Sequence, residues 1–409
     1  MSMIKAVSVT GLAGRKEPIN ISLNPDINIF FGENGTGKTG LLKILHSALD
    51  MQAAPLVGVA FEHATVEVAT DSEHADTRTF TRPEEFDLLL RELSGRNFAG
   101  SISELLRSRE MTWDVTSIKS PPAQSPSAKR LAAQYATTLR RRATGSRTLG
   151  RFVVSHGYLP ITRLTTDLSA PSRYHYAERL EELDLDDVFS NALQDRWKTY
   201  TNRVLSEVRA AQEDALAQVL EVVVTPFNTT EEADANEIDT EQAYQRVSSF
   251  LGRQRSIRRV NLDINFGHEY KNDPKLRRVV NLIDQVEERI EEIMKTRSAL
   301  QDLVTRLMGR NKRVQFTDEA IFVELLSQQQ ISLSRLSSGE KQLLRILVES
   351  TMAGPHVMII DEPELSMHID WQRKLLSAMR TVNPESQIIV ATHSPEIMAD
   401  YEDEKIFSL

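Results

Sequence analysis

The sequence contains no cysteine, so disulfides, thiolate metal sites and cysteine nucleophiles are all excluded. No run of about eighteen apolar residues occurs, which excludes a membrane-spanning helix, and the first residues lack the basic and apolar blocks of a secretory signal. Positive charge is not in excess, and the net charge of −9 disfavours a protein that coats nucleic acid indiscriminately. We therefore expect a cytoplasmic protein whose 409 residues form two to three structural units.

The clearest chemical signal is a short glycine-rich stretch behind an apolar run. "GENGTGKTG" follows Ile27–Phe31 and precedes a helical pattern in which Leu41, Leu45 and Leu49 share one face. Its spacing matches G-x-x-x-x-G-K-[ST], whose glycines let backbone N–H groups surround an anion. A glycine-rich turn that matches by chance is the alternative, but the flanking strand and helix favour a nucleoside triphosphate site. The candidate binding residues are Gly32, Glu33, Asn34, Gly35, Thr36, Gly37, Lys38, Thr39 and Gly40.

Two residues of this stretch have distinct predicted roles. Lys38 is expected to reach the β- and γ-phosphates, and the Thr39 hydroxyl is expected to ligate Mg²⁺. The helix that starts near Lys38 adds its positive dipole end to the same place.

Further candidates lie far along the chain, at the ends of two more predicted strands. The run "VMII" ends in Asp361 and Glu362, and an open α/β sheet places ligand chemistry at the carboxyl ends of its strands. Asp361 suits the Mg²⁺ shell and Glu362 suits polarising the attacking water, whereas a surface Asp-Glu turn before Pro363 is the alternative. The apolar strand Ile388–Ala391 leads into His393, which we interpret as a γ-phosphate sensor rather than an ordinary core or surface histidine.

Five motifs occur in the order typical of ABC-type ATPases, and the chain resembles that class. "LSSGEKQ" resembles the signature loop, "DEPELSMHID" resembles the Walker B motif and D-loop, and "ATHSPE" resembles the switch-histidine loop. The signature departs from the usual LSGGQ at Ser338 and Glu340, which bears on the catalytic rate more than on nucleotide binding. The matching segments are Gly32–Thr39, Leu336–Gln342, Val357–Glu362, Glu364–Asp370 and Ala391–Pro395.

The resemblance implies further site residues, cofactors and an assembly. In this class the signature loop completes the site of a second subunit, so Ser337, Ser338 and Gly339 are expected to cap a γ-phosphate held by a partner copy. Asp370 and His393 are expected to couple the two sites. ATP and Mg²⁺ are the implied cofactors, and at least a homodimer with sandwiched ATP is the implied assembly.

The long segment between the P-loop and the signature resembles the SMC, RecF and OLD groups. "PELSMHIDWQRKLL" is most similar to OLD-type ATPases and their relatives in bacterial anti-phage systems such as PARIS and Septu. "GYLPITR" resembles their Q-loop position, which makes Arg163 a candidate nucleotide-site residue. OLD nucleases carry a TOPRIM domain beyond the switch histidine, and too few residues follow His393 for one. We therefore expect a nuclease or toxin effector to be a separate protein.

The middle of the chain predicts two long helices. Apolar residues recur with an eleven-residue period from Phe189 to Val222, and they form a heptad seam, interrupted by Arg297, from Leu276 to Leu307. A short, splayed coiled-coil hairpin or a broader helical subdomain fits these patterns. Two ordinary amphipathic core helices are the alternative.

Two basic clusters are candidate contacts for a nucleic-acid backbone or an acidic protein. Neither is interleaved with aromatic residues as single-strand binders require, so a solvated basic face is the alternative. The clusters are Arg253, Arg255, Arg258 and Arg259, and Arg140, Arg141, Arg142, Arg147 and Arg151.

These patterns predict an α/β fold with an ABC-type ATPase head, in which a mixed sheet with a P-loop core lies beside an antiparallel β layer. The expected division is residues 1–170 for the N-terminal part of the head, 171–311 for an inserted helical hairpin and 312–409 for the C-terminal part. The leading functional hypothesis is an ATP-hydrolysing sensor or scaffold of a bacterial anti-phage defence system. A RecF- or SMC-like DNA-clamping ATPase, and a structural module that assembles with ATP but barely hydrolyses it, are the alternatives.

Overall fold

The computed structural model describes residues 2–56, 58–69, 74–82, 113–119, 154–160, 185–224, 239–253, 266–309 and 312–409. The chain divides into two compact units. The first comprises Met1–Ala192, Leu303–Val314 and Val323–Leu409, and the second comprises Leu193–Asp302 and Gln315–Phe322. Among the helices so described, none is both long enough and apolar enough to cross a membrane.

A parallel sheet forms the centre of the first unit. Its strands are β3 (Ile27–Phe31), β7 (His156–Leu159), β11 (Val357–Asp361), β12 (Ile388–Thr392) and β13 (Ile406–Ser408), in the order β13-β3-β12-β11-β7. All neighbouring pairs are parallel. Every residue of β11 and β12 is buried, which explains why their sequences are continuous apolar runs rather than alternating ones. The strands predicted before the P-loop, before Glu362 and before His393 are confirmed.

An antiparallel sheet of five strands lies in the same unit. Its strands are β1 (Met3–Thr10), β2 (Ile19–Ser22), β4 (His63–Ala69), β5 (His74–Thr81) and β6 (Asp114–Lys119), in the order β2-β1-β4-β5-β6. Alternate residues of β1, such as Val7 and Val9, are buried, as expected for a strand with one face on the core. The predicted antiparallel layer is confirmed.

Helices cover both faces of the parallel sheet. The cluster that joins helix α1 (Lys38–Asp50) to the antiparallel layer includes Ile359 and Ile389 of the parallel strands. Met358 points the other way, because successive strand residues face opposite sides, and it accepts a contact of 3.2 Å from Ser350 Oγ in α6 (Ser338–Ala353). Helix α7 (Ile369–Val382) packs against α6 and against the short α8 (Pro395–Met398).

The buried side chain of Gln387 joins the antiparallel layer to the parallel sheet within the first unit. The Gln387 amide donates to the carbonyl oxygens of Ile4 and Asn24 at 2.8 and 2.7 Å. Its oxygen accepts from the Ile4 N–H at 2.8 Å. Because Gln387 precedes β12 and Ile4 lies in β1, these bonds fix the antiparallel layer against the parallel sheet.

A small three-stranded sheet precedes the signature segment in the chain. It consists of β8 (Lys312–Phe316), β9 (Ile321–Leu325) and β10 (Gln330–Ile331), in the order β10-β9-β8.

The helical segment contains α2 (Leu185–Val224), α3 (Thr240–Arg253), α4 (Phe266–Asn272) and α5 (Pro274–Leu307). Both predicted apolar stripes are confirmed, since none of their positions on α2 or α5 is exposed. Helices α3 and α4 pack against α5 through a cluster that includes Val247, Phe266 and Ile283. The insert is therefore a helical subdomain with more packing than a bare two-helix hairpin.

The turn between β8 and β9 binds both long helices within the second unit. Trp197 of α2 donates from Nε1 to the Thr317 carbonyl oxygen at 2.7 Å. Arg297, the polar interruption of the α5 seam, donates to the Phe316 carbonyl oxygen at 2.8 Å and pairs with Asp318. The polar residue in the seam thus has a structural role that the heptad pattern did not reveal.

Candidate nucleotide-binding and catalytic site

The glycine-rich stretch forms a tight turn between β3 and α1. Gly35 and Gly37 have φ angles of 84° and 99°, which L-residues rarely adopt, and Gly37 is the N-cap of α1. This geometry turns successive backbone N–H groups towards one point, to which the positive end of α1 also contributes. A Cβ at Gly32 would overlap the Leu409 carbonyl oxygen, so glycine is required there by close packing.

The Lys38 ammonium lies inside this turn and is nearly buried, with 5% of the residue exposed. It donates to the carbonyl oxygens of Gly32 and Glu33 at 2.9 and 2.8 Å. Burial lowers the pKa of Lys38, and the carboxylates of Glu362, Asp361 and Glu364 act in the opposite direction. These carboxylates, at and just after the carboxyl end of β11, therefore favour the charged form of the lysine.

Asp361 ends β11 and is only 2% exposed. Among the described residues, neither of its carboxylate oxygens meets a partner at full hydrogen-bond geometry, although the Thr39 hydroxyl lies near enough to lower the Asp361 pKa. Burial raises the pKa of Asp361 to about 6, against the influence of Thr39 and of the lysine ammonium groups. A buried carboxylate without partners, beside a hydroxyl, is the donor set that Mg²⁺ prefers, so these residues fit that ion.

Glu362 and His393 lie together just after the carboxyl ends of the adjacent strands β11 and β12. Glu362 has a φ of 47°, an uncommon value for a residue other than glycine, and its N–H donates to the Ala391 carbonyl oxygen at 2.8 Å. Its Oε1 lies 3.3 Å from His393 Nε2, and the Lys38 ammonium lies 3.4 Å from His393 Nδ1. Because lysine can only donate, Nδ1 is the acceptor and the neutral imidazole carries its proton on Nε2, towards Glu362.

Glu364 is a site residue that sequence reasoning missed. Its Oε1 accepts from the Thr392 hydroxyl at 2.7 Å, the His393 N–H at 2.7 Å and the Ser394 N–H at 3.2 Å. This carboxylate therefore holds the backbone of the switch-histidine loop. The signal available in the sequence is a second acid two residues after Glu362, within the segment that resembles the Walker B motif and D-loop.

A histidine pair beneath the site was also missed. His156 Nδ1 lies 2.7 Å from the Val154 carbonyl oxygen, so it carries the proton, and His156 Nε2 accepts from His46 Nδ1 at 2.6 Å. The His46 ring stacks on Tyr158 with centroids 4.2 Å apart. Burial, and then His156, lower the pKa of His46 to about 3, whereas burial and then Asp361 raise the pKa of Tyr158. The Tyr158 hydroxyl is buried and has no hydrogen-bond partner within the part of the chain that the structure describes.

The signature residues lie elsewhere on the same edge of the sheet. Ser337 is the N-cap of α6, and Ser337 and Ser338 are exposed. Gly339 is buried, and a Cβ there would overlap the Ser366 carbonyl oxygen, so α6 begins in close contact with the segment after Glu362. Helix α6 packs on β7 and β11, whereas the P-loop follows β3. Three strand spacings separate β3 from β7, which is about 14 Å across the sheet.

The predicted residues thus form two groups. The structure brings Lys38, Thr39, Asp361, Glu362 and His393 together at one point. The exposed residues Ser337 and Ser338 form a second group at the start of α6. Asp370 is in the first turn of α7, with 74% of its side chain exposed, and lies 3.3 Å from His368 Nδ1. Arg163, the side chain of Arg253 and the remaining basic-cluster residues, Arg255, Arg258, Arg259, Arg140, Arg141, Arg142, Arg147 and Arg151, lie outside the residues whose placement is described.

A P-loop at the carboxyl end of a parallel strand, acidic residues at the end of the second strand along and an antiparallel layer in the same unit are the arrangement of an ABC-type ATPase head. The sequence model of one protein family, described as "AAA domain, putative AbiEii toxin, Type IV TA system", matches residues 161–399, which is more than half of the chain. The chain therefore belongs to this family of AAA ATPase domains.

Curated relatives match over a short segment. "Retron Vc95 probable ATPase" of Vibrio cholerae is 29% identical over 90 residues, which cover 19% of this chain and 18% of that protein. "Retron Ec83 probable ATPase" of Escherichia coli is 26% identical over 92 residues, which cover 19% of this chain and 17% of that protein. The matched segment thus spans less than a fifth of either relative.

Solved structures of SMC heads are similar over nearly the whole chain, with low scores. The Smc head of Pyrococcus furiosus, bound to the C-terminal domain of ScpA, has a TM-score of 0.38 at 12% identity and covers 98% of this chain and 92% of that chain. The SMC head of Thermotoga maritima has a TM-score of 0.37 at 12% identity and covers 97% and 91%.

Proposed function

We propose that this protein binds and hydrolyses ATP and that two copies assemble through nucleotide sandwiched between their heads. The observation that carries the assembly is the position of Ser337 and Ser338. They are exposed at the start of α6, a helix that packs on β7 and β11, whereas the P-loop follows β3 on the other side of β12. A helix N-terminus attracts anions, and the start of α6 in one copy can reach the γ-phosphate bound by a second copy.

The site residues divide the hydrolytic work among them. Lys38 would exchange its bonds to loop carbonyl oxygens for bonds to the β- and γ-phosphates. Glu362 would accept a proton from the attacking water as the bond between the γ-phosphorus and the β,γ-bridging oxygen breaks, which yields ADP and phosphate. His393, between Glu362 and Lys38, is placed to contact the γ-phosphate and to report its loss.

Thr39 and Asp361 are the residues that would hold Mg²⁺. When bound, the ion neutralises charge on the phosphate oxygens. The two buried carboxylate oxygens of Asp361 and the buried Tyr158 hydroxyl lack hydrogen-bond partners among the residues with a described placement, and buried polar groups of this kind normally have a water or an ion beside them.

The first experiment measures assembly and turnover in the full chain. Glu362→Gln should bind ATP with Mg²⁺, slow phosphate release by at least about 100-fold and double the particle mass measured by light scattering. Lys38→Ala is the control that should stay at its nucleotide-free mass, because it lacks the phosphate ligand. An unchanged turnover rate in Glu362→Gln would refute the assigned base. An unchanged mass with bound ATP would refute the sandwich.

We further propose a role in bacterial anti-phage defence, with the ATPase controlling a separate effector protein. Two curated relatives are named as retron ATPases, and the family description names a toxin of a toxin–antitoxin system. The motifs that resemble OLD-type ATPases point the same way. In this proposal, ATP-dependent closure of the heads moves or exposes the helical subdomain, which the effector reads.

Purification from cells that carry the native locus tests this role. Stoichiometric co-purification of a second protein, released by ATP with Mg²⁺ from the parent and from Glu362→Gln but retained by Lys38→Ala, is the expected result. Salt-sensitive DNA binding that ATP stimulates, without a protein partner, would instead support the RecF- or SMC-like alternative.

A further inference from the structure

The start of helix α6 is held by a network centred on Glu340. Its Oε2 accepts from the Ser337 N–H at 2.8 Å, and the Ser337 hydroxyl accepts in return from the Glu340 N–H at 3.3 Å. This reciprocal capping box satisfies two backbone N–H groups at the turn that carries the exposed signature serines. Glutamine stands at this position in the usual signature, and it would supply the same cap without a charge.

The charge of Glu340 is matched by one lysine from outside the helix. Lys312, the first residue of β8, places its ammonium 2.9 Å from Oε1 and 2.8 Å from Oε2 of Glu340. The side chains are 25% and 11% exposed, so solvent screens the pair only in part. Burial alone would raise the pKa of Glu340, but the bonds from Lys312 and Ser337 leave that pKa below its usual value. Glu340 therefore stays ionised and retains its full capacity to accept both bonds.

The other side of the same turn is confined by backbone. Gly339 lies so close to the Ser366 carbonyl oxygen that a methyl group there would overlap it. The signature turn thus contacts Lys312, through Glu340, and packs closely against the segment that follows Glu362. Loss of the ammonium would leave Oε1 without its partner and the largely buried Glu340 charge without its cation, which would weaken the cap that Oε2 places on the Ser337 N–H.

We propose that Lys312 is a positioning residue for the signature turn, which it holds through Glu340 in the orientation that presents Ser337 and Gly339 to the nucleotide of a second copy. Lys312 does not touch nucleotide in this arrangement. It compensates for the carboxylate that this chain carries in place of the usual glutamine. The use of the turn against nucleotide rests on the proposed sandwich, whereas the holding of the turn is a property of the single chain.

The chain offers a closely matched control pair at the start of strand β3, the end away from the P-loop. Lys405 lies 2.5 Å from Asp26 Oδ2, and Asp26 Oδ1 accepts from the Ile27 N–H at 2.7 Å. The Lys405 side chain is 27% exposed, close to the 25% of Lys312. Both pairs thus join a lysine to a backbone-capping carboxylate, but only one of them reaches the signature.

The first measurement is hydrogen–deuterium exchange over residues 333–345 of the nucleotide-free full chain. Lys312→Met should accelerate exchange at the capped amides about tenfold, and Lys312→Arg, which keeps the charge, should restore protection. Lys405→Met should leave this segment unchanged. In the double variant Lys312→Met/Glu340→Gln, exchange should return towards the parent value, because the neutral amide needs no cation. Unaltered exchange in Lys312→Met overturns the proposal.

The second measurement is ATP-dependent association in the Glu362→Gln background, followed by light scattering. Lys312→Met should weaken association about tenfold with little change in the affinity of each protomer for ATP, whereas Lys405→Met should associate normally. Association of Lys312→Met equal to that of the parent overturns its role towards nucleotide. If the parent itself does not associate, the sandwich is the claim that fails, and the exchange experiment still decides whether Lys312 holds the turn.

Discussion

Removal of the Glu364 carboxylate should destabilise the head and disable the switch-histidine loop. One oxygen of Glu364 accepts three hydrogen bonds, at 2.7, 2.7 and 3.2 Å, from Thr392, His393 and Ser394. A hydrogen bond to a charged group contributes about 1.5–3 kcal/mol, and bonds that share one acceptor are not additive. Ser394 N–H also lies 2.9 Å from the Thr392 hydroxyl, which recovers part of the loss. We therefore expect Glu364→Ala to lower the free energy of unfolding by about 3 kcal/mol.

The catalytic effect should exceed what the loss of stability alone produces. The His393 N–H is one of the groups that Glu364 holds, and the His393 ring lies 3.3 Å from the Glu362 carboxylate. A misplaced histidine should reduce kcat at least about tenfold at a temperature where the variant is still folded. Urea unfolding gives the first quantity and steady-state phosphate release gives the second.

Two further variants sharpen the test of Glu364. Glu364→Gln keeps a carbonyl oxygen as acceptor and should cost about 1 kcal/mol, because only the charge is lost. Glu385→Ala removes an exposed glutamate from the same unit and should change stability by less than about 0.5 kcal/mol. If Glu364→Ala unfolds and turns over like Glu385→Ala, the carboxylate does not anchor the loop and the reasoning is wrong.

A substitution at Gly339 and a decrease in pH also have definite expected outcomes. Gly339→Ala should cost about 1–3 kcal/mol and weaken ATP-dependent association, because its methyl group would displace the Ser366 carbonyl; thermal unfolding and light scattering measure the two effects. Acid should destabilise the protein through His46, whose pKa of about 3 lies below the ordinary value of 6.5. The unfolded state then binds the proton first, so stability falls by up to about 1.4 kcal/mol per pH unit as the pH drops from 6.5 towards 3. His46→Phe, which keeps the ring against Tyr158, should show a shallower pH dependence in urea titrations, and an unchanged slope would exclude His46 as the source.

Much of the fold was readable because its signals are local. The P-loop, the strand before it and the helix after it occupy one short stretch, and the apolar runs before Glu362 and His393 predicted buried parallel strands correctly. The stripes on α2 and α5 were readable for the same reason, since a helical period repeats every few residues. The resemblance to ABC-type ATPases then predicted that strand ends distant in the chain share one edge.

The contacts that tune the site were not readable in this way. Glu364 looked like one acid among several, and only the placement of β12 beside β11 brings the His393 backbone to it. The tie between Gln387 and Ile4 depends equally on how the two sheets meet. Side-chain period reports which face is buried, but it carries no information about which residue of another element lies opposite.

The sequence by itself determined that a glycine-rich turn, an acidic strand end and a histidine loop exist, because each is encoded in consecutive residues. Only the tertiary structure decided that Lys312 meets Glu340, that Gly339 lies against Ser366 and that His46 pairs with His156. Hydrogen bonds and close packing act over a few ångströms. Their partners are therefore fixed by strand order and helix placement, which the whole chain sets at once.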